Sequence, residues 1–312
     1  MNKEVFIIMG YNASGKSSRA KLFERMGYHR LNRDNDGGSI DDLAIKTANL
    51  LSNGVHKIVL DNTYPSIASR VSVINAAKSQ KAKIHCIHLT TSLEESQMNA
   101  CLRMIRTYGK LLSPEEIKSV KDPNTFPPAA LFHYRKQFQA PSTNEGFDTV
   151  ENVPFLRSWG PEYKYKALII DYDGTLREST GPQKYPSTPN EINMLPERYD
   201  VLKNFKDDGY LLLGASNQSG IARGTVTQEA VVGVFEETNR LLGLNIEYNF
   251  CPHPSNPVIC YCRKPSPGMA AIFIEKYKLL PSKCIMIGDM TSDKTFAERC
   301  GFEYVDQKDF FY

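Results

Sequence analysis

The sequence predicts two α/β domains, each a mainly parallel sheet flanked by helices. The chain has 312 residues, more than one ordinary domain needs. Strand-length apolar runs alternate with helical stretches along its whole length. These runs are continuous rather than alternating, which indicates strands that are buried on both faces, as in parallel sheets.

Two stretches share one signature, in which an apolar strand runs into a short polar loop that contains glycine. They are VFIIMGYNASGKSS at 5–18 and KALIIDYDGTLRES at 166–179. Open α/β folds bind ligands at the ends of such strands. The segment VENVPFLRSWGPEYKYK between them has two prolines, a glycine and no helical period, which indicates a linker. We therefore expect one domain over 1–156 and another over 163–312.

The composition is that of a soluble globular protein, with 41% hydrophobic and 23% charged residues. The apolar runs are too short to span a membrane, and the N-terminus has no signal-peptide cleavage pattern. We therefore expect no membrane association and a cytoplasmic location, or a nuclear one in a eukaryote. The seven cysteines are then expected to be free or metal-bound. The net charge is +6 over 1–158 and −3 over 159–312, which permits a polyanionic partner without requiring one.

The first loop matches the pattern G-x-x-x-x-G-K-[ST] and lies between a predicted strand and a predicted helix. Glycines let backbone N–H groups turn toward nucleotide phosphates, and Lys16 neutralises their charge. The Ser17 hydroxyl can ligate Mg²⁺, and the helix N-terminus adds a favourable dipole. The residues predicted to bind ATP are Gly10, Ser14, Gly15, Lys16, Ser17 and Ser18.

A second polar group follows HRL, the predicted second strand. Asp34, in the triplet NRD, would lie at a strand end near the first loop. An acceptor hydroxyl needs a base beside it, and a carboxylate can serve. The alternative is a strand-ending turn residue, since NDGG follows directly.

This half of the chain resembles the kinase domain of polynucleotide 5′-kinase/3′-phosphatases. The resemblance rests on five segments: the first loop, which is a P-loop, the NRD triplet, IVLDNTYPSIASR, TSLEESQMNACLRM and HYRKQFQAPSTNEGF. It implies that Asp34 is the general base for a 5′-hydroxyl, that Arg33 lies near the substrate, and that Asp61 lies near nucleotide and metal. It further implies that Arg103, and with it Arg106, reaches the transferring phosphates, although a solvated basic helix face would look the same. The phage members carry an arginine shortly after the NRD aspartate, where this chain has NDGG.

The second loop carries two carboxylates, Asp171 and Asp173, directly after the strand ALII. Residues at i and i+2 of an extended chain face the same way. One carboxylate can attack phosphorus, while the other gives a proton to the leaving oxygen and then activates water. Mg²⁺ would screen the two negative groups from each other. The alternatives are an ordinary turn and a fragment of a calcium loop.

Residues 165–306 resemble the haloacid dehalogenase superfamily of phosphatases. Ser216 stands where that superfamily has a phosphate-binding hydroxyl, and Lys264 where it has the lysine beside the nucleophile. Asp289 and Asp293 fit its metal-binding motif, so the predicted Mg²⁺ ligands in this half are Asp171, Asp173, Asp289 and Asp293. Only 40 residues separate Thr175 from Ser216, which is too few for a large cap domain.

Three cysteines and a histidine lie close together in a proline-rich block. Cys251, His253, Cys260 and Cys262 suit a tetrahedral structural zinc site, and the alternative is a set of buried thiols. Such a loop is typical of the histidinol-phosphate and heptose-bisphosphate phosphatases. Asn217 and Arg263 are the predicted substrate contacts. The cysteines expected in the core are Cys86, Cys101, Cys284 and Cys300.

The resulting hypothesis is a bifunctional enzyme that repairs nucleic-acid ends. It would phosphorylate 5′-hydroxyls with ATP and remove 3′-phosphates, with DNA or RNA strand ends and a ligase as candidate partners. One alternative keeps the kinase and makes the second half a sugar-phosphate or histidinol-phosphate phosphatase. Another is a catalytically silent end-binding module. Four aromatic residues could stack on bases or pack on helix faces: Tyr64, Phe132, Tyr134 and Phe138.

Overall fold

Two five-stranded sheets, in which all strand pairs are parallel, confirm the predicted α/β class. The computed structural model describes residues 2–312. Within that range, every helix is too short or too polar to cross a bilayer.

The chain divides into two compact units. The first extends up to Ala100 and includes Lys121–Arg157, and the second comprises Cys101–Val120 and Ser158–Tyr312. One division between the units therefore falls after Arg157. The segment Cys101–Val120 belongs to the second unit, although it lies inside the predicted first domain.

The first sheet has the strand order β2-β3-β1-β4-β5. Its strands are Glu4–Met9 (β1), His29–Leu31 (β2), Lys57–Asp61 (β3), Lys83–Leu89 (β4) and Thr149–Val153 (β5). The helices up to residue 157 are Lys16–Arg25 (α1), Arg33–Asp36 (α2), Ile40–Ser52 (α3), Ile67–Ser79 (α4), Leu93–Tyr108 (α5), Pro114–Ser119 (α6) and Pro128–Gln137 (α7). Helix α5 begins in the first unit and ends in the second, where α6 also lies.

Apolar side chains on both faces of the first sheet account for its continuous apolar strands. Val5, Ile7 and Met9 pack in one core cluster, and Ile8 packs in the other with Ala20 of α1. Burial on both faces removes the alternation that an exposed strand would show.

The second sheet has the strand order β10-β9-β6-β11-β12. Its strands are Ala167–Ile170 (β6), Leu211–Asn217 (β9), Glu247–Cys251 (β10), Ile285–Gly288 (β11) and Glu303–Asp306 (β12). A separate antiparallel pair is formed by Arg177–Ser179 (β7) and Ile192–Met194 (β8). The remaining helices are Arg198–Asp207 (α8), Gln228–Leu242 (α9), Gly268–Tyr277 (α10), Thr291–Cys300 (α11) and Gln307–Phe311 (α12).

Parallel pairing brings the functional loops of each unit to one edge of its sheet. In the second sheet, Ile170 at the end of β6 pairs with Gly214 of β9 and with Ile287 of β11. Asp171 and Asp289, on the loops after β6 and β11, and Ser216, near the end of β9, therefore lie at the same edge of the sheet.

Candidate active sites and a candidate metal centre

The loop after β1 has the backbone geometry of a phosphate-binding loop. Gly10 has a φ of 148°, and a Cβ there would lie 2.9 Å from the Ser14 hydroxyl and 3.0 Å from the Leu89 carbonyl oxygen. Glycine is therefore the residue that fits this close approach. Gly15, with a φ of 96°, precedes α1, so the free N–H groups of that helix point toward the loop.

The Lys16 side chain folds back over the start of this loop. Its Nζ donates to the carbonyl oxygens of Gly10, at 3.1 Å, and Tyr11, at 2.5 Å. The ammonium group is thus held where it can neutralise nucleotide phosphates. Ser14 is buried, and Ser17 and Ser18 lie exposed on the first turn of α1.

Asp61, at the end of β3, is 1% exposed and is the centre of a charged network. The Ser17 hydroxyl donates to its Oδ2 at 3.0 Å, and the Arg30 guanidinium donates to both of its oxygens at 2.8 and 2.7 Å. The hydrogen bond to Asp61 raises the pKa of Arg30 and outweighs burial. The Ser17 hydroxyl and the Asp61 carboxylate are hard oxygen ligands that suit Mg²⁺.

Arg30 was not predicted from the sequence. Its contact with Asp61 depends on the pairing of β2 with β3, in which Arg30 lies opposite Val59. Nothing in the short segment HRL indicates that register.

Asp34 lies on α2 and is exposed. Asn32 ties that helix to the end of β3, since its Oδ1 accepts from the Asp34 N–H at 2.8 Å and its Nδ2 donates to the Asp61 carbonyl at 2.5 Å. The Arg33 N–H donates to Asn62 Oδ1 at 3.1 Å. The geometry brings Asp34 to the same sheet edge as the P-loop, and the roles of Asp34 and Arg33 stay predictions.

Two side chains after β4 hold the P-loop from another side. The Thr91 hydroxyl donates to the Ser14 carbonyl at 3.0 Å, and Asn99 Nδ2 donates to the Ala13 carbonyl at 2.9 Å. Both bonds use carbonyl groups of the loop and occupy none of its N–H groups. The sequence gives no signal for these two contacts.

The two arginines predicted to contact phosphates lie on the later part of α5. The Arg106 guanidinium donates to Glu275 Oε1, with Nε at 2.8 Å and Nη2 at 2.6 Å, and to the Tyr163 hydroxyl at 3.1 Å. It is therefore bound within the second unit. Arg103 is half-buried. Burial raises the pKa of Tyr261, and the positive charge of Arg103 opposes that rise. A phosphate contact of Arg103 stays a prediction.

In the second unit, Lys264 bridges two buried carboxylates. Its Nζ lies 2.7 Å from Asp171 Oδ1, 2.7 Å from Asp293 Oδ1 and 2.6 Å from the Ala215 carbonyl oxygen. Burial raises the pKa of Asp171 to about 7, Lys264 opposes that rise, and Asp293 and Asp173 add to it. Burial likewise opposes a charge on Lys264, but the two carboxylates outweigh it and raise its pKa. The amine thus lowers the pKa of Asp171 below the value that burial alone would produce.

Asp173 is oriented by two hydrogen-bond donors, Arg177 and Gln218, which were not predicted from the sequence. Arg177 Nε donates to its Oδ1 and Gln218 Nε2 to its Oδ2, both at 2.9 Å. Gln218 Nε2 also donates to the Ser216 hydroxyl oxygen at 2.9 Å, which leaves the hydroxyl proton of Ser216 for another acceptor. Arg177 is 1% exposed and also donates to the Val234 carbonyl at 2.8 Å.

Three carboxylates form an acidic group at this site. Oxygen atoms of Asp171, Asp289 and Asp293 all lie within 4.8 Å of one another. Burial and the neighbouring Asp293 raise the pKa of Asp289. Such a set of hard oxygen ligands fits Mg²⁺, which would offset the mutual repulsion. Asp173 lies outside this group, and its role as a metal ligand stays a prediction.

The side-chain amide of Asn217 bonds to the backbone of Lys264 through both its nitrogen and its oxygen. Its Nδ2 donates to the Lys264 carbonyl at 3.0 Å, and its Oδ1 accepts from the Lys264 N–H at 2.9 Å. Asn217 thereby positions the lysine loop. Arg263 Nη1 donates to the His253 carbonyl at 3.3 Å. Substrate contacts of Asn217 and Arg263 stay predictions.

Cys251, His253, Cys260 and Cys262 converge as one cluster, with ligand atoms within 4.8 Å of one another. Cys251 Sγ lies 3.6 Å from Cys260 Sγ, too far for a disulfide. The Nδ1 of His253 lies 3.5 Å from Cys251 Sγ and 3.2 Å from Cys262 Sγ. A zinc tetrahedron built with ordinary bond lengths has edges of about 3.5 to 3.8 Å. These atoms therefore fit a closed four-coordinate zinc site.

Crowding of the thiols at this cluster shifts their acidity. Hydrogen bonding with its neighbours lowers the pKa of Cys260 to about 2, and hydrogen bonding with Cys260 raises that of Cys251 to about 12. Three thiolates this close would repel one another without a cation between them. The other four cysteines, at positions 86, 101, 284 and 300, are all buried, as expected for core residues.

Comparisons with known proteins find one matching family model and several relatives of this chain. Residues 261–305 match the family model described as "HAD-hyrolase-like". A Thermoplasma volcanium protein, "Probable D-glycero-D-manno-heptose-1,7-bisphosphate 7-phosphatase", is 32% identical over 143 residues, which are 43% of this chain and 92% of that protein. A Schizosaccharomyces pombe protein, "Bifunctional polynucleotide phosphatase/kinase", is 32% identical over 167 residues. Those are 53% of this chain, which spans only 37% of that protein's length.

A solved structure, that of the Pnkp1/Rnl/Hen1 RNA repair complex, resembles the chain loosely. It is 20% identical with a TM-score of 0.34, over 98% of this chain and 96% of the other. The Thermoplasma relative, by contrast, is matched over nearly its whole length. The chain therefore belongs, through its second unit, to the haloacid dehalogenase-like family of phosphatases that includes this relative.

Proposed function

We propose that this chain is a bifunctional end-healing enzyme that phosphorylates 5′-hydroxyl ends with ATP and hydrolyses 3′-phosphate ends. The proposal assigns the kinase to residues 1–156 and the phosphatase to 163–312. The observation that carries it is the similarity to the Schizosaccharomyces pombe phosphatase/kinase, since this chain also contains a phosphate-binding loop and an aspartate phosphatase site. The candidate partners are DNA or RNA strand ends and a ligase.

In the proposed kinase reaction, the 5′-oxygen attacks the γ-phosphorus of ATP, its proton passes to Asp34, and ADP leaves. Lys16 neutralises the β- and γ-phosphates, and the loop N–H groups bind their oxygens. Ser17 and Asp61 would hold Mg²⁺, which supplies charge neutralisation between the phosphates. Arg30 donates to both oxygens of Asp61 and so holds that carboxylate in place for the task.

In the proposed phosphatase reaction, an Asp171 oxygen attacks phosphorus and the 3′-oxygen leaves with a proton from Asp173. Asp173 then takes a proton from water, whose oxygen attacks the aspartyl-phosphate and releases phosphate. Lys264 and Ser216 bind oxygens of the transferring group. The residues that would hold Mg²⁺ are Asp171, Asp289 and Asp293, where the ion screens the phosphate from the nucleophile.

A second candidate function is a small-molecule phosphatase in the second unit. The 92% coverage of the heptose-bisphosphate phosphatase relative favours it, as does the Cys₃His cluster. The 40 residues between Thr175 and Ser216 contain β7, β8, one turn of 3₁₀ helix, α8 and most of β9, and they form no large cap domain. This favours an open site that admits a polymer end.

One oligonucleotide with a 5′-hydroxyl and a 3′-phosphate tests the proposal in the presence of ATP and Mg²⁺. Lys16→Ala should abolish only 5′-phosphorylation, and Asp171→Asn only phosphate release. Each variant serves as the control for the other. Asp171-dependent hydrolysis of heptose bisphosphate or histidinol phosphate, with none of the oligonucleotide, would contradict end healing by the second unit.

A further inference from the structure

Gln218 is the first residue after β9, and hydrogen bonds fix its backbone on both sides of the side chain. Its N–H donates to the Cys251 carbonyl at 2.8 Å, and its carbonyl accepts from the Ile221 N–H at 3.2 Å. The side chain therefore starts from a fixed point at the edge of the sheet where Asp171 lies. The reaction steps proposed above assign it no role.

The side-chain nitrogen of Gln218 serves two acceptors. Nε2 donates to Asp173 Oδ2 and to Ser216 Oγ, each at 2.9 Å. An amide nitrogen carries two hydrogens, so both are used, and one planar group joins the two acceptors. An ionised Asp173 can only accept, which requires the nitrogen of the amide rather than its oxygen on this side.

These bonds determine where Asp173 and Ser216 place their protons. Arg177 donates to the other oxygen of Asp173 at 2.9 Å, so the plane of the carboxyl group is held from two sides. Each carboxyl oxygen still has a lone pair for a transferable proton. Because Gln218 bonds to both Oδ2 and the phosphate-binding Ser216, Oδ2 is the Asp173 oxygen on the side of the phosphate.

We propose that Gln218 positions Asp173 for proton transfer to the leaving oxygen and thereby makes the site selective for phosphate esters of alcohols. An Asp171 oxygen bonds to phosphorus, the ester P–O bond breaks, and the ester oxygen takes the proton from Asp173 Oδ2. An alkoxide is too basic to leave without that proton, whereas a nitrophenolate leaves as an anion. This inference rests on the proposed phosphatase reaction and adds the residue that adapts it to alcohol leaving groups.

Gln218→Met tests this inference, because methionine keeps the length of the side chain and removes the amide. The kcat/KM for a 3′-phosphorylated oligonucleotide should fall by about tenfold or more, while that for para-nitrophenyl phosphate should change little. The ratio kcat/KM covers only the steps up to departure of the leaving group, so later hydrolysis of the aspartyl-phosphate does not affect the comparison. Retained hydrolysis of para-nitrophenyl phosphate also shows that the variant is folded.

Three further variants separate positioning from phosphate binding. Gln218→Glu keeps the shape of the side chain without the Nε2 donor, and should show the same selective loss. Ser216→Ala should reduce kcat/KM for both substrates by the same factor, because the phosphoryl group is common to them. Gln228→Met is the matched control, since Gln228 is exposed on the first turn of α9, and it should leave both values unchanged.

A series of aryl phosphates with increasingly basic leaving groups gives a second readout. The kcat/KM of Gln218→Met should fall more steeply with that basicity than the kcat/KM of the wild type. A purely structural defect would lower all values by one factor. An equal loss for all substrates, or no loss for the oligonucleotide, would overturn the inference.

The same comparison separates this inference from the end-healing function. If the wild type hydrolyses histidinol phosphate and not the oligonucleotide, end healing by the second unit is contradicted. Histidinol phosphate is also an ester of an alcohol, so a selective loss of its hydrolysis in Gln218→Met would still support the positioning role. Hydrolysis of para-nitrophenyl phosphate with no alcohol ester accepted would overturn both.

Discussion

At the scale of single residues, both sites depend on a cation that compensates buried carboxylates. Arg30 pairs with Asp61 in the first unit, and Lys264 pairs with Asp171 and Asp293 in the second. Removing one partner of such a group leaves an uncompensated charge, which costs far more than the loss of a surface ion pair.

Replacing Lys264 with methionine should therefore destabilise the protein by about 3 to 5 kcal/mol near pH 8. Without the amine, the folded-state pKa of Asp171, which burial already raises, lies still further above that of the unfolded chain. Its protonated form is compatible with burial, so stability is retained at low pH and is lost as the pH rises through the folded-state pKa. Thermal unfolding at pH 5 and pH 8 should show the larger loss at pH 8.

Lys276→Met is the control for this measurement. Lys276 forms an exposed pair with Glu247, with about half of the lysine side chain accessible. Its removal should change stability little at either pH. An equal effect of Lys264→Met at both pH values would contradict the proposed compensation.

Arg177 positions the general acid of the proposed phosphatase, since it bonds to Asp173 and is itself anchored to Val234. Arg177→Lys keeps the charge but loses the rigid fork of donors. We expect kcat for phosphate release to fall at least tenfold while KM changes little, because binding of the phosphate depends on other residues. A rise in KM with an unchanged kcat would mean that Arg177 serves substrate binding instead.

At the scale of structural elements, the turn after β6 requires glycine for two separate reasons. Gly174 has a φ of 88°, and a Cβ there would lie 2.5 Å from Asp289 Oδ2. Gly209, after α8, has a nearly equal φ of 84° but nothing within 4 Å of its Cβ position. The two positions separate backbone strain from steric conflict.

Alanine at Gly209 should cost about 1 to 2 kcal/mol through strain alone and leave phosphatase activity intact. Alanine at Gly174 should cost more and should also reduce activity, because it displaces a predicted metal ligand. Urea unfolding and phosphate release, measured as a function of Mg²⁺ concentration, distinguish the two effects. Equal losses of stability and equal activities would show that the turn tolerates a shift of Asp289.

At the scale of the whole molecule, the Cys₃His cluster is expected to hold one zinc ion per chain and to stabilise the loop between β10 and α10. Cys262→Ser should lose the zinc and lower the unfolding temperature by several degrees, because ligand binding contributes to folding. Cys284→Ser, a buried cysteine outside the cluster, should retain the zinc. Metal analysis after dialysis, together with thermal unfolding, checks both results. A full zinc content in Cys262→Ser would exclude this site.

The sequence alone determined the fold class, because continuous apolar strands and the two strand–loop signatures do not depend on long-range pairing. It also singled out Lys16 and Asp171 as candidate site residues, since each stands in a local motif whose chemistry is readable, and Lys264 through the resemblance to a superfamily. The three cysteines and the histidine of the Cys₃His cluster were recognised as a candidate metal site for the same reason, because they lie within twelve residues of one another.

Only the tertiary structure decided which side chains support those residues. Arg30 reaches Asp61 through the pairing of β2 with β3, and Arg177 and Gln218 meet at Asp173 only in the folded chain. It likewise placed Arg106 against Glu275 and buried the Tyr134 hydroxyl. Apart from Arg177 and Asp173, which are four residues apart, these groups come from distant parts of the chain, and their contacts depend on strand register and helix packing. A local pattern contains neither, and so these contacts could not be predicted from the sequence.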